Sequence, residues 1–153
     1  MAALVGIISD THGLLRPEAE AALAGCTAII HAGDVGHEKV LVALRKIAPV
    51  HAVRGNVDKG SWAEALPETT IVEVEGHKLY VLHKIEDLDI NPAASGIGAV
   101  IYGHSHVPSQ QIKNGVLLLN PGSAGPKRFH LPVSLALLRV NSTGLKVEHV
   151  ILI

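Results

Sequence analysis

The sequence predicts an α/β fold of two packed mixed β-sheets flanked by helices. Three observations carry this expectation. The first third alternates short apolar runs with amphipathic helical segments, the βαβαβ pattern of a parallel sheet with right-handed crossovers. The remainder is mostly strand, punctuated by hairpin signals. The 153 residues contain no linker, repeat or low-complexity segment, which suits one domain over residues 1–153.

Leu4 to Ile8 is an apolar run that stops at Ser9-Asp10, as a central parallel strand does. The stretch from Met1 to Ile8 has no basic residues before it, so it reads as a buried strand rather than a signal peptide. Pro17 suits the first position of a helix that continues over Glu18 to Leu23 and stops at Gly25. Ala28 to His31 is a second strand, broken at Gly33-Asp34. Glu38 to Ile47 carries Val40, Leu41, Leu44 and Ile47 at helical spacing, with Pro49 just beyond. Val50 to Val53 is a third strand, broken at Gly55-Asn56.

Thr69 to Val74 and Lys78 to His83 flank Glu75-Gly76-His77, a hairpin signal. Residues 87–98 hold Asn91-Pro92 and two glycines, and read as a loop with at most one helical turn. Val100-Ile101-Tyr102 is a strand ending at Gly103. Gln110 to Lys113 and Val116 to Leu119 flank Asn114-Gly115, a strong hairpin turn. After a Gly/Pro-rich loop from Pro121 to Pro132, Ser134 to Val140 and Leu145 to Ile153 form a last hairpin. A parallel half followed by an antiparallel half is thus expected.

Composition excludes several classes of function. With 13 Lys+Arg against 14 Asp+Glu and a net charge of -1, no basic track for a polynucleotide is present. Aromatics are 3%, too few for a base-stacking platform. No apolar run approaches the ~20 residues of a membrane span. A lone Cys26 in an apolar setting reads as a buried inert thiol and demands no oxidising compartment, so a cytoplasmic location is the default expectation. The oddity is ten histidines.

Polar residues gather at the carboxyl end of each expected strand, where open α/β sheets bind ligands. The first ends in Ser9-Asp10-Thr11-His12, the second in His31-Ala32-Gly33-Asp34 and the third in Arg54-Gly55-Asn56-Val57-Asp58. Two later strands end in His83 and in Gly103-His104-Ser105-His106. Each fragment alone is an ordinary turn or a surface histidine. Together, in order and each at a strand end, they point to a metal site. Nitrogen and oxygen donors without thiolate suit borderline or hard divalent ions. Gly33, Gly55 and Gly103 each precede a candidate ligand and permit sharp turns and close backbone approach.

This ordered set, from Asp10-x-His12 to Gly103-His104-Ser105-His106, resembles the calcineurin-like metallophosphoesterase superfamily. The short chain and Asn120-Pro121-Gly122-Ser123 resemble its small single-domain, YfcE-type phosphodiesterase branch. The resemblance spans Asp10 to Ser123 and implies a four-layer α/β/β/α sandwich. It implies one ion on Asp10, His12, Asp34 and His106 and another on Asp34, Asn56, His83 and His104, with the two oxygens of Asp34 bridging. The implied activity is hydrolysis of small phosphate diesters by a hydroxide shared between two ions ~3.5–4 Å apart. A phosphomonoesterase or nucleotide phosphatase is the alternative, as is a non-catalytic scaffold similar to the retromer subunit of the family. Manganese is the first choice of metal; zinc, iron, nickel and cobalt accept the same ligands. The expected partner is a small phosphate ester, with no polynucleotide and no membrane, and a homodimer is the default assembly.

The chain departs from the family pattern in places. Val57 stands where many members have a His that aids leaving-group departure; Asp58 remains, and is expected to support the ligands from behind. Lys84 follows His83 where Gly is usual, and either reaches a phosphate or, as most lysines do, stays solvated. Glu86, Asp87 and Asp89 either face an anionic substrate or lie outside. Arg54, Lys127 and Arg128 are each candidates for phosphate contact against a plain surface role. His31 is expected to orient the bridging carboxylate or a neighbour rather than bind metal. His37, His51, His77, His130 and His149 match no motif and read as surface residues, and Trp62 as packing.

Overall fold

Alternation along the first strand decides the layering. A computed structural model of the chain describes residues 2–153, so the Met1 end of the expected strand lies outside the described residues. In β1 (Ala2–Ile8), Val5 and Ile7 point into the layer between two sheets, while Leu4 and Ile8 face the helices. Gly6 also lies beneath helix α1 (Pro17–Leu23), where any Cβ would strike the Leu23 side chain. The β-strand β2 (Ala28–His31), helix α2 (Glu38–Arg45) and strand β3 (Val50–Ala52) complete the βαβαβ unit, with β1, β2 and β3 parallel. Val40, Leu41 and Leu44 of α2 are buried, as their spacing requires.

A short helix, α3 (Ser61–Glu64), follows; it is unannounced by periodicity because a single turn has none. Its Trp62 packs on the helix side of the first sheet, so the packing role holds. Strands β4 (Thr69–Val74), β5 (His77–Leu82), β6 (Ile97–Ile101), β7 (Ser109–Lys113) and β8 (Val116–Asn120) form the second sheet in the order β4-β5-β6-β8-β7. The last hairpin, β9 (Ser134–Asn141) and β10 (Gly144–Ile151), returns to the first sheet, whose order is β10-β9-β1-β2-β3.

Both sheets are mixed, as the expected fold class has it, but the order of a parallel half followed by an antiparallel half is corrected: β5, β6 and β8 run parallel. Turn chemistry is local and marks a hairpin, but apolar faces choose the sheet it joins. The inner layer holds Ile7, Ile30, Leu79, Ile101, Leu119 and Leu138. The outer face of the second sheet is covered thinly, by Ile85, Leu88 and Ile90 around one 3-10 turn (Ile85–Asp87), in line with the expected loop. Cys26 is buried under the helices, and burial raises its thiol pKa, consistent with an inert group. No helix among the described residues is long and apolar enough to cross a membrane.

Candidate metal centre

The carboxyl ends of the parallel strands from both sheets meet at one rim. Backbone bonds stitch the loops there: Asp10 N–H donates to the Gly33 carbonyl at 3.0 Å, His12 N–H to Asp34 at 3.0 Å, and Gly103 N–H to His83 at 2.9 Å. Five expected ligands, Asp10, His12, Asp34, His104 and His106, have φ between 48° and 73°. Left-handed backbone costs a non-glycine residue about 1 kcal/mol, and such strain collects at functional sites. Two glycines let the loops approach. A Cβ on Gly55 would strike Asp34, and one on Gly103 would strike Ser9 and Asp10.

Two groups of three result. Asp10, His12 and His106 bring one donor atom each within 4.8 Å of one another, and so do Asp34, His83 and His104. Asp34 Oδ2 touches both groups, at 3.2 Å from His83 Nε2 and 3.8 Å from His12 Nε2. Asp10 Oδ1 lies 3.4 Å from His106 Nε2 and 3.9 Å from His12 Nε2. Asp10 Oδ1, His12 Nε2 and His83 Nε2 are buried without a hydrogen-bond partner. Orphaned buried atoms that converge in this way need an occupant, and carboxylate plus imidazole donors fit a divalent cation. Of the two Asp34 oxygens, Oδ1 accepts the Val57 N–H at 3.0 Å and Oδ2 faces both groups. Asp10 is built alike, with Oδ2 accepting Ser9 Oγ–H at 2.7 Å and the His104 N–H at 3.1 Å.

Residues behind the ligands hold them. The His83 Nδ1–H donates to the Ala32 carbonyl at 2.8 Å, which turns Nε2 toward the carboxylates. Asp58 accepts three backbone N–H groups, from Val35 at 3.2 Å, Gly36 at 2.8 Å and Gly55 at 2.8 Å, and so ties the Asp34 loop to the Asn56 loop. His31 does not touch Asp34. Its Nδ1 accepts the Gly33 N–H at 3.1 Å and its Nε2–H meets Thr11 Oγ1 at 3.0 Å, so it clamps the first two motif loops instead. Sequence reasoning gave no role to Ser9, Thr11, Asn120 or Ser123. Asn120 Nδ2 donates to the Gly103 carbonyl at 3.2 Å, and Ser123 Oγ–H to the Asp10 carbonyl at 3.1 Å. The Asn-Pro-Gly-Ser motif was the available signal.

The charges follow from this packing. Burial works to raise the Asp10 and Asp34 pKa values, but the close His106 imidazole and the Ser9 hydroxyl at Asp10, and the close His83 imidazole and the Val57 N–H at Asp34, outweigh it and hold both down. Burial opposes the His83 cation, yet Asp34 and the Ala32 carbonyl lift its pKa overall. For His12 burial prevails and the pKa falls, with Arg128 adding to the fall.

Burial pushes the His31 pKa from 6.5 down to about 4. An unfolded chain takes up that proton near 6.5, the native one near 4, so the His31 contribution is complete above pH 6.5 and declines as pH falls toward 4. The loss amounts to about 3 kcal/mol. Urea midpoints between pH 7 and pH 4 are expected to fall more steeply for the native sequence than for His31→Gln; parallel curves would refute this.

A model of the calcineurin-like phosphoesterase superfamily domain matches residues 4–143. The chain belongs to this family. A probable metallophosphoesterase of Methanothermobacter thermautotrophicus is 32% identical over 157 residues, covering 95% of this chain and 90% of that protein. The YfcE phosphoesterase of E. coli superposes with a TM-score of 0.70 at 22% identity, covering 98% of this chain and 100% of that one. Zinc-complexed Vps29 of Entamoeba histolytica superposes with a TM-score of 0.75 at 24% identity, over 98% and 99% of the two chains. The family uses divalent metals and acts on phosphate esters.

In this metallophosphoesterase a cleft of about 450 Å³ opens beside His83 and the exposed Asn56. Arg54 lines it, paired with Glu68 at 3.0 Å. Lys84 is half-buried in its wall rather than fully solvated, and Asp87 and Asp89 face it while Glu86 does not. Lys127 and Arg128 are exposed, with Lys127 Nζ directed to the Leu131 carbonyl. Three of the histidines expected at the surface make local hydrogen bonds, His37 while exposed. His37 Nδ1 caps α2 by accepting the Lys39 N–H, and half-buried His77 and His149 donate to the Asn141 and Asn120 carbonyls. Their motif-free sequence context hid these contacts. His51 and His130 are exposed as expected.

Proposed function

We propose that this chain is a dinuclear, metal-dependent phosphodiesterase acting on small phosphate diesters. The supporting observation is the pair of three-residue groups joined through Asp34 Oδ2. Asp10, His12, His106 and Asp34 would hold one ion, and Asp34, His83, His104 and Asn56 the other, with manganese preferred. When bound, two such ions activate water as a nucleophile near neutral pH and neutralise charge on phosphoryl oxygens. The chain's own contribution is positional. Asp10 and Asp34 each commit one oxygen to the protein and offer the other, and Ala32 orients His83. The Val57 side chain has no titratable proton, so the departing alcohol would take its proton from solvent. Lys84 would offer a phosphoryl group positive charge from the cleft wall, and Arg54 would do so only on leaving Glu68.

The scaffold alternative gains nothing from five ligand positions in left-handed backbone. The charge balance disfavours a polynucleotide and favours a small diester. A cytoplasmic enzyme, dimeric like many small oligomers, accords with this reading. Bis(p-nitrophenyl) phosphate hydrolysis is expected to vanish after chelation and to return with manganese. Equal rates with and without metal would end the proposal.

A further inference from the structure

The cleft beside His83 has an uneven distribution of charge. Its lining includes His83, which is 6% exposed and has an Nε2 without a hydrogen-bond partner. Both cations of the cleft are attached near the candidate ligands: Lys84 directly follows His83, and Arg54 precedes Asn56 by two residues. Arg54 is neutralised by Glu68. Asp87 and Asp89 lie further along the chain from His83, are exposed, and form no ion pair among the described residues. Tyr80 and Leu82, both buried, line the same cleft. Lys84 thus enters the cleft from a position adjoining a candidate ligand, and two carboxylates outside any ion pair among the described residues line the same cleft with an aromatic ring.

A phosphate ester of a cationic alcohol has the matching sequence of charges, anionic at phosphorus and positive a few bonds away. Carboxylates together with an aromatic ring are a recurring recognition set for ammonium groups. We propose that this cleft receives one ester arm of the diester and selects an arm bearing an ammonium group, with Asp87 and Asp89 as the specificity-determining residues. The inference rests on the phosphodiesterase reading. Lys84 would face the phosphoryl oxygens, and the two acids the cation. The same acids would repel an arm carrying further phosphates, so nucleoside di- and triphosphate esters would be poor substrates.

The test compares p-nitrophenyl phosphorylcholine with its neutral isostere, in which a tert-butyl group replaces the trimethylammonium, so the leaving group is identical. The native protein is expected to favour the cationic ester in kcat/KM by about tenfold. In the Asp87→Asn/Asp89→Asn double variant that ratio is expected to collapse toward one. A ratio near one in the native protein, or an unchanged ratio in the variant, would overturn the proposal. If neither ester is cleaved with any metal, the phosphodiesterase reading fails instead. Calorimetry then decides the cleft separately: phosphocholine is expected to bind the native protein about tenfold tighter than its tert-butyl isostere. Equal binding would overturn the inference.

Discussion

Asp34→Asn is expected to abolish metal binding at both groups and to lower phosphodiester turnover by at least about 10²–10³-fold. The geometry explains why one atom matters so much. Oδ2 lies 3.2 Å from His83 Nε2 and 3.8 Å from His12 Nε2, so its charge serves both halves of the site. An Asn oxygen can still accept the Val57 N–H as Oδ1 does, which preserves the loop and leaves only a neutral amide toward the histidines. Metal titration with a thermal melt on the same sample checks this. A folded variant that binds ions as the native protein does would show that Asp34 is not the shared ligand.

Asp58→Ala is expected to destabilise the fold by about 3 kcal/mol and to weaken metal binding by about 10–100-fold. The side chain touches no candidate donor atom in these groups. Its effect comes through the backbone N–H groups of Val35, Gly36 and Gly55, which are left without their acceptor. Gly55 and Val35 adjoin Asn56 and Asp34, so the loops that aim two ligands loosen together. Asp58→Asn keeps one carbonyl acceptor and is expected to lie between. Urea denaturation read beside metal affinity separates this from a purely local effect; an Ala variant as stable as the native chain would contradict it.

Much of this site is legible in the sequence because chain direction does the placing. Once β1, β2 and β3 are read as parallel strands, Asp10, Asp34 and Asn56 must emerge on one edge, whatever the details of packing. His83 and His104 reach the same rim because β5 and β6 also run parallel, which the expected antiparallel half did not anticipate. Asp10 comes together with His12 and His106, and Asp34 with His83 and His104. The finer chemistry was hidden because it depends on contacts far apart in sequence. Nothing local reveals that Val57 occupies one oxygen of Asp34, or that His31 reaches Thr11 rather than Asp34. The pairing of Arg54 with Glu68 and the buried part of Lys84 are likewise set by how β4 and β5 meet the rim.

The fold shows the same division. Alternation in β1 and helical spacing in α2 are local patterns, and both elements appear where their residues put them. The return of β9 and β10 to the first sheet is a choice between two apolar faces of similar character, which Leu138 and Val140 settle by packing beside Val5 and Ile7. The left-handed backbone at five ligands is invisible to propensity, since it is imposed by loops that cross-brace one another.

The central claim is that two ions share this rim. Elemental analysis of protein saturated with manganese and then freed of unbound metal tests it most directly. The account predicts about two ions per chain. One ion, or none at saturating supply, would contradict it.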